Sequence, residues 1–240
     1  MKLINQLHEN LIGTKHLHGL DWDELSRKLE QNGFTRAHGA YADVWWHPKW
    51  NYVYKVFERD NAYLAFLEFC STRQHNPHLP KILKRPFQIH AIHDREQFVG
   101  DKLWAVKTER LQHLPPNMME FFNYKFKQMV FSVRSGIESP NPAYFSGSKY
   151  AHLSSDELSW DMLWEIFQHI DLKGLVYTAI QIMSNVKGVL DLHGNNIMMR
   201  QDGTYVITDP LYEMESISIP DFRSLNKFRG SHKSGPVYNK

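Results

Sequence analysis

The stretch Val189–Leu190–Asp191–Leu192–His193–Gly194–Asn195–Asn196–Ile197–Met198–Met199, followed by Tyr205–Val206–Ile207–Thr208–Asp209–Pro210, holds the residue types best suited to chemistry. Asn196 lies five positions after Asp191, and Asp209 thirteen further on. Between the last two, the apolar runs 197–199 and 205–208 flank Gln201–Asp202–Gly203, where glycine supplies the positive φ that a tight hairpin demands. A hairpin that short returns its end to its start, so Asn196 and Asp209 are predicted to meet at one mouth, with Asp191 beside them. Carboxylate and amide oxygens are hard ligands, and magnesium takes a few of them together with water and substrate phosphates. The set suits phosphoryl transfer: Asn196 and Asp209 hold metal on a nucleotide, while Asp191 orients and deprotonates an attacking hydroxyl. The bland alternative is an acidic surface hairpin that binds nothing.

Such a cradle needs elements to hold it. Leu3, Ile4, Leu7 and Leu11 fall on one helical face, and Asp21 is placed to cap a helix through Leu25 and Leu29 that stops at Asn32–Gly33. Short strands are predicted over 34–37, 41–46 and 52–57, separated by His38–Gly39 and His47–Pro48. The third carries Tyr54–Lys55–Val56–Phe57, and a lysine among apolar neighbours calls for a carboxylate partner. The predicted helix 62–72, capped by Asp60 or Asn61, offers Glu68. Pro77 and Pro80 close that helix, and strands follow near 81–83, 88–92 and 103–108. Pro115–Pro116–Asn117 lead into a helix over 118–133, and 134–150 form a long loop rich in Ser, Gly, Pro and Asn. Ser154 with Glu157 makes a capping box for a helix through Leu158, Leu163 and Ile166. The helix 172–185 buries Leu175, Val176, Ala179, Ile180 and Met183 and delivers the chain to Asp191.

In residue type and spacing the Asp191, Asn196, Asp209 set resembles the protein-kinase pattern, in which the catalytic aspartate precedes its asparagine by five and the metal aspartate follows a short hairpin. The segment His38–Gly39–Ala40–Tyr41–Ala42–Asp43–Val44 resembles a reduced kinase glycine-rich loop, with Gly39 as middle glycine, Ala42 in place of the last glycine and Val44 over the adenine. Lys55 resembles the strand lysine that contacts the α- and β-phosphates. Val106–Lys107–Thr108–Glu109–Arg110–Leu111 falls where such a fold has its hinge, and backbone groups of about Glu109 to Leu111 would bond the adenine edge. The resemblance implies an α+β, bilobal protein-kinase-like fold: a small antiparallel-sheet N-lobe and a truncated, mainly helical C-lobe. The corresponding division is 1–110, 111–221 and a basic tail over 222–240.

Composition is compatible with this. Apolar residues make up 42% of the 240 and charged residues 22%, enough for a sizeable core and against wholesale disorder. The formal charge of +2 identifies no partner class, and a single cysteine, Cys70, excludes an internal disulfide and fits a reducing cytoplasm. No run of 18 apolar residues exists, so no membrane span is expected. Fourteen histidines without paired cysteines make no zinc site.

The densest likeness is to the early serine/threonine protein kinases of autographivirus-type podoviral coliphages. They share the run Asp, a residue, His, two residues, Asn–Ile–Met, then a hairpin ending in Ile–Thr–Asp–Pro. Gly33–Phe34, the small-residue loop at Gly39–Ala42, the Lys–Val strand at Lys55 and the Tyr–x–Ala–Phe of Tyr63 to Phe66 are also similar. The resemblance implies ATP and Mg2+ as cofactors and host proteins, transcription or RNA-processing enzymes among them, as substrates. It also implies a part in host transcription shutoff and a place in the host bacterial cytoplasm. Nucleic acid is not expected as a direct substrate. Departures from ordinary protein kinases are Val189 in place of the catalytic-loop histidine, Pro210 in place of Phe–Gly, and no Ala–Pro–Glu motif. Ser216 and Ser218 are candidates for self-modification. Two other readings stand beside this one: a small-molecule phosphotransferase of the aminoglycoside or choline type, which shares the Asp–Leu–His start of the loop, and a non-catalytic kinase-like inhibitor of a host enzyme.

Overall fold

The structure is a computed structural model that describes residues 22–38, 42–57, 60–89 and 103–212. The helix expected over the first dozen residues, the Asp21 cap, Gly39, Ser216, Ser218 and the basic tail lie outside the described residues.

Alternating apolar residues build an antiparallel sheet from β1 (Thr35–His38), β2 (Ala42–Trp46), β3 (Tyr52–Phe57), β4 (Ile82–Ile89) and β5 (Leu103–Glu109), in the order β1-β2-β3-β5-β4. Its two faces bury different things, because directly opposed residues share a face. On one face Trp45, Tyr54, Val56 and Ala105 form a small core with Leu29 of α1 (Trp22–Gln31) and Phe34. On the other lie Val44, Lys55 and Val106, in register across β2, β3 and β5. That second face looks toward the helices. The strands expected separately near 81–83 and 88–92 are a single strand, β4, whose register shifts between Lys84 and Phe87. Pro86 sits in that irregularity, where a missing N–H costs no ladder bond.

α2 (Asn61–Ser71) connects β3 to β4, and its start is fixed by Asp60, whose carboxylate accepts the Tyr63 N–H at 2.9 Å. Tyr63, Phe66, Leu67 and Cys70 form the buried stripe of this helix at i, i+3, i+4, i+7 spacing. The helix expected over 118–133 is three pieces: α3 (Pro116–Phe121), a π-helical turn (Phe122–Phe126) and α4 (Lys127–Arg134). Ser154 and Glu157 do bond to one another, with Glu157 Oε2 accepting the Ser154 N–H at 2.9 Å. They close a turn only. The helix α5 starts later, at Trp160–Ile166, where Ser159 Oγ accepts the Met162 N–H. α6 (Leu172–Asn185) spans the expected residues and is capped by Asp171, a non-glycine residue at φ 46° whose carboxylate accepts the Gly174 N–H.

The larger core does not stop at the boundary between sheet and helices. It runs from Phe57, Tyr63, Phe66 and Val106 through Phe122, Phe126 and Met129 to Leu175, Ala179, Ile197 and Ile207. The arrangement is α+β, with a small antiparallel sheet on a mainly helical body, as expected. Among the described residues no helix is long and apolar enough to cross a membrane.

Candidate active site at the hairpin mouth

The hairpin forms as its sequence demands. β7 (Ile197–Met199) pairs antiparallel with β8 (Tyr205–Ile207), Ile197 opposite Ile207 and Met199 opposite Tyr205, and Gly203 takes φ 88° in the turn. Buried Ile197, Val206 and Ile207 seat it on the helical body. Past the hairpin, Thr208 donates its N–H to the Asn196 carbonyl at 2.8 Å, which clamps the residue before Asp209 onto Asn196. A second short ladder joins β6 (Val189–Leu190) to β9 (Leu211–Tyr212), and the Asp191 N–H donates to the Pro210 carbonyl at 2.7 Å. Asp191, Asn196 and Asp209 are thus held in one backbone-bonded unit.

Side chains complete it. Asn196 Nδ2 donates to the Asp191 carbonyl at 2.7 Å and lies 3.2 Å from Asp191 Oδ2. His193 caps the short turn 194–196: its Nδ1 accepts the Asn195 N–H at 3.2 Å, and its Nε2 lies 3.1 Å from Asn196 Nδ2 and 3.3 Å from Asp191 Oδ2. Asp191 is held below the ordinary carboxylate range, chiefly by that His193 hydrogen bond, against the opposing effect of burial, with smaller help from Asn196 and Lys127. It stays ionised.

From the sheet, Lys55 Nζ meets Asp209 Oδ2 at 2.7 Å, joining the sheet to the end of the hairpin. This corrects one expectation: the Lys55 partner is Asp209, and Glu68 is exposed on the outer side of α2. The buried stripe of that helix, Tyr63, Phe66, Leu67, Cys70, turns Glu68 outward. Val44 stands opposite Lys55 on β2, and Ala42 is at the rim of the same face. At the hinge, the Glu109 N–H is spent on the Lys81 carbonyl at 3.1 Å and its side chain on Arg200, so Glu109 offers an adenine at most its carbonyl. Among the described residues nothing bonds the N–H or C=O of Leu111.

Asn196 and Asp209 supply only oxygens to a metal. With Asn196 Nδ2 turned to Asp191, its Oδ1 is the end left for a cation, and the Asp209 carboxylate is 38% exposed. That donor set fits magnesium.

Four residues not singled out from the sequence support the unit. Asn123, on the π-helical turn, accepts the Gly194 N–H through Oδ1 at 2.7 Å, and Lys127 donates to the Leu190 carbonyl at 3.0 Å. π-Helical turns commonly lie at functional sites. His78, buried, places Nδ1 2.9 Å from the Tyr205 carbonyl and Nε2 2.9 Å from Asp171 Oδ2. Arg200 ties the hairpin to the hinge. Their contacts span sequence separations of about 60 to 130 residues, so no local pattern announces them.

Gly194 is held closely: a Cβ there would run into the Met119 sulfur and lie 3.0 Å from the Met119 carbonyl oxygen. Gly194→Ala is therefore expected to cost about 1–3 kcal/mol of unfolding free energy by overpacking. Urea denaturation checks this, and an unchanged midpoint would show a loop that gives way freely.

No family model matches the chain, and no curated protein matches it. Among solved structures it is similar to amicoumacin kinase hAmiN in complex with AMP-PNP, Ca2+ and Ami, at TM-score 0.34 and 13% identity, over 87% of this chain and 63% of that one. This chain spans less than two thirds of that protein's length. The five-stranded antiparallel sheet, the lysine on its third strand and the hairpin cradle define an α+β protein whose sheet lysine meets the end of the hairpin.

Proposed function

We propose that the chain is an ATP- and magnesium-dependent phosphotransferase. One observation carries the reading: the sheet lysine Lys55 and the hairpin aspartate Asp209 meet at 2.7 Å, within a unit that also holds Asn196 and Asp191. A basic amine facing oxygen donors across a cleft is what a nucleotide polyphosphate needs. Magnesium, when bound, would offset phosphate charge, and Asn196 and Asp209 are the residues that would hold it. Lys55 binds the α- and β-phosphates, small Ala42 lets the loop backbone approach them, Val44 covers the base, and the Leu111 backbone bonds its edge. The acceptor oxygen forms a bond to the γ-phosphorus as the bond to the β–γ bridging oxygen breaks. ADP leaves, and the acceptor hydroxyl proton passes to Asp191.

For the acceptor, the resemblance of the catalytic stretch to the phage early kinases supports serine and threonine hydroxyls of host proteins. A small-molecule hydroxyl is the second reading, supported by the Asp191–Leu192–His193 start of the loop. Labelled ATP with magnesium is offered to generic protein substrates and, separately, to a panel of cationic small molecules. Transfer to protein serine or threonine is expected. Transfer only to a small molecule moves the chain to the second reading. No transfer, with no thermal shift on adding magnesium-ATP, leaves a non-catalytic binder.

A further inference from the structure

α2 meets the Lys55 ammonium with the face of a ring. Nζ lies 3.8 Å from the centroid of Tyr63, while Glu68 on the same helix is exposed. Tyr63 is 5% exposed and fixed from several directions. Its backbone N–H bonds the Asp60 cap at 2.9 Å, and Phe57 meets it edge-on at 4.9 Å and 88°. The other close partner of Lys55 is Asp209, which the proposed reaction needs for magnesium.

A carboxylate that neutralises a lysine has less charge to give a divalent ion. An aromatic face attracts an ammonium through its quadrupole and carries no net charge, so it can hold the lysine and leave its positive charge for phosphate. Burial, and then the Asp209 charge, push ionisation of the Tyr63 hydroxyl well above its ordinary value, so the ring stays neutral.

We infer that Tyr63 is a positioning residue whose ring face fixes the Lys55 ammonium independently of Asp209, ready for nucleotide phosphates. The inference rests on the phosphotransferase reading for its purpose, and Tyr63 itself touches no substrate.

The test uses the full chain with 13C at the lysine ε-carbons, the Lys55 signal being identified by its loss in Lys55→Arg. Without nucleotide, the Lys55 ε-protons are expected upfield of the other lysines, shielded by the ring. Tyr63→Phe keeps that shift and Tyr63→Leu abolishes it. In parallel, Tyr63→Leu weakens magnesium-ATP binding about tenfold, and Tyr63→Phe restores it. An unshifted Lys55 signal in the wild type overturns the inference, as does a Tyr63→Phe chain that behaves like Tyr63→Leu. If Tyr63→Leu does not fold, the wild-type and Tyr63→Phe signals decide alone. A wild type that binds no ATP overturns the phosphotransferase reading, while the lysine spectrum still decides where the ammonium sits.

Discussion

Asp191→Asn is expected to lower phosphate transfer about a thousandfold and to leave magnesium-ATP binding largely intact. The substitution keeps size and shape. The Asn196 contact to the Asp191 backbone carbonyl survives, as does the Asp191 N–H bond to Pro210, so the loop has no reason to move. What disappears is the anionic oxygen that orients an incoming hydroxyl and takes its proton. The Asp191 side chain is 43% exposed, open to an acceptor. Its depressed pKa makes it a modest base, which is why the expected loss sits within the ordinary range for one acid–base group. Single-turnover transfer of labelled phosphate, with circular dichroism as a folding control, reads the effect. Wild-type rates in Asp191→Asn would remove this residue from the reaction.

Arg200→Ala is expected to cost about 3 kcal/mol of stability, the largest such loss among the changes considered. Arg200 sits at the end of β7 and grips Glu109 with two bonds, Nε to Oε2 at 2.9 Å and Nη2 to Oε1 at 2.6 Å. The same guanidinium donates to the Leu79 carbonyl at 2.9 Å and to the Pro77 carbonyl. Three segments meet on it: the hairpin, the hinge and the turn after α2. The two side chains are only 13% and 14% exposed, so removing the arginine leaves a largely buried carboxylate whose remaining partner is the Lys81 N–H at 2.9 Å. Lysine cannot reproduce the fork, and Arg200→Lys should recover little. Removing both charges, in Arg200→Met with Glu109→Leu, should cost less than Arg200→Met alone. Chemical denaturation of the wild type and these variants measures this, and a double variant no more stable than Arg200→Met would mean the pair is not a buried unit.

Parts of the fold were legible because their signals are local. The hairpin follows from two short apolar runs and one glycine, and α6 from a 3.6-residue apolar period. The outward turn of Glu68 was also legible, since Tyr63, Phe66, Leu67 and Cys70 already spell the buried stripe. The demand of an inward-facing lysine for a carboxylate pointed to Glu68 against that period. The π-helical turn was not legible, because its apolar pattern reads as ordinary helix. The Ser154–Glu157 box misled for a different reason: the two side chains bond equally well in an isolated turn, and nothing in the motif reports how far the helix beyond it extends.

The sequence alone determined which oxygens share a mouth, because a tight turn makes neighbours of residues thirteen apart whatever surrounds them. Tertiary structure decided what faces that mouth. Lys55 and Asp209 are separated by 154 positions, and the Arg200 and Asn123 contacts by more than seventy. Contacts of that reach depend on how buried helices and the sheet pack against each other, and no stretch of chain carries that packing by itself.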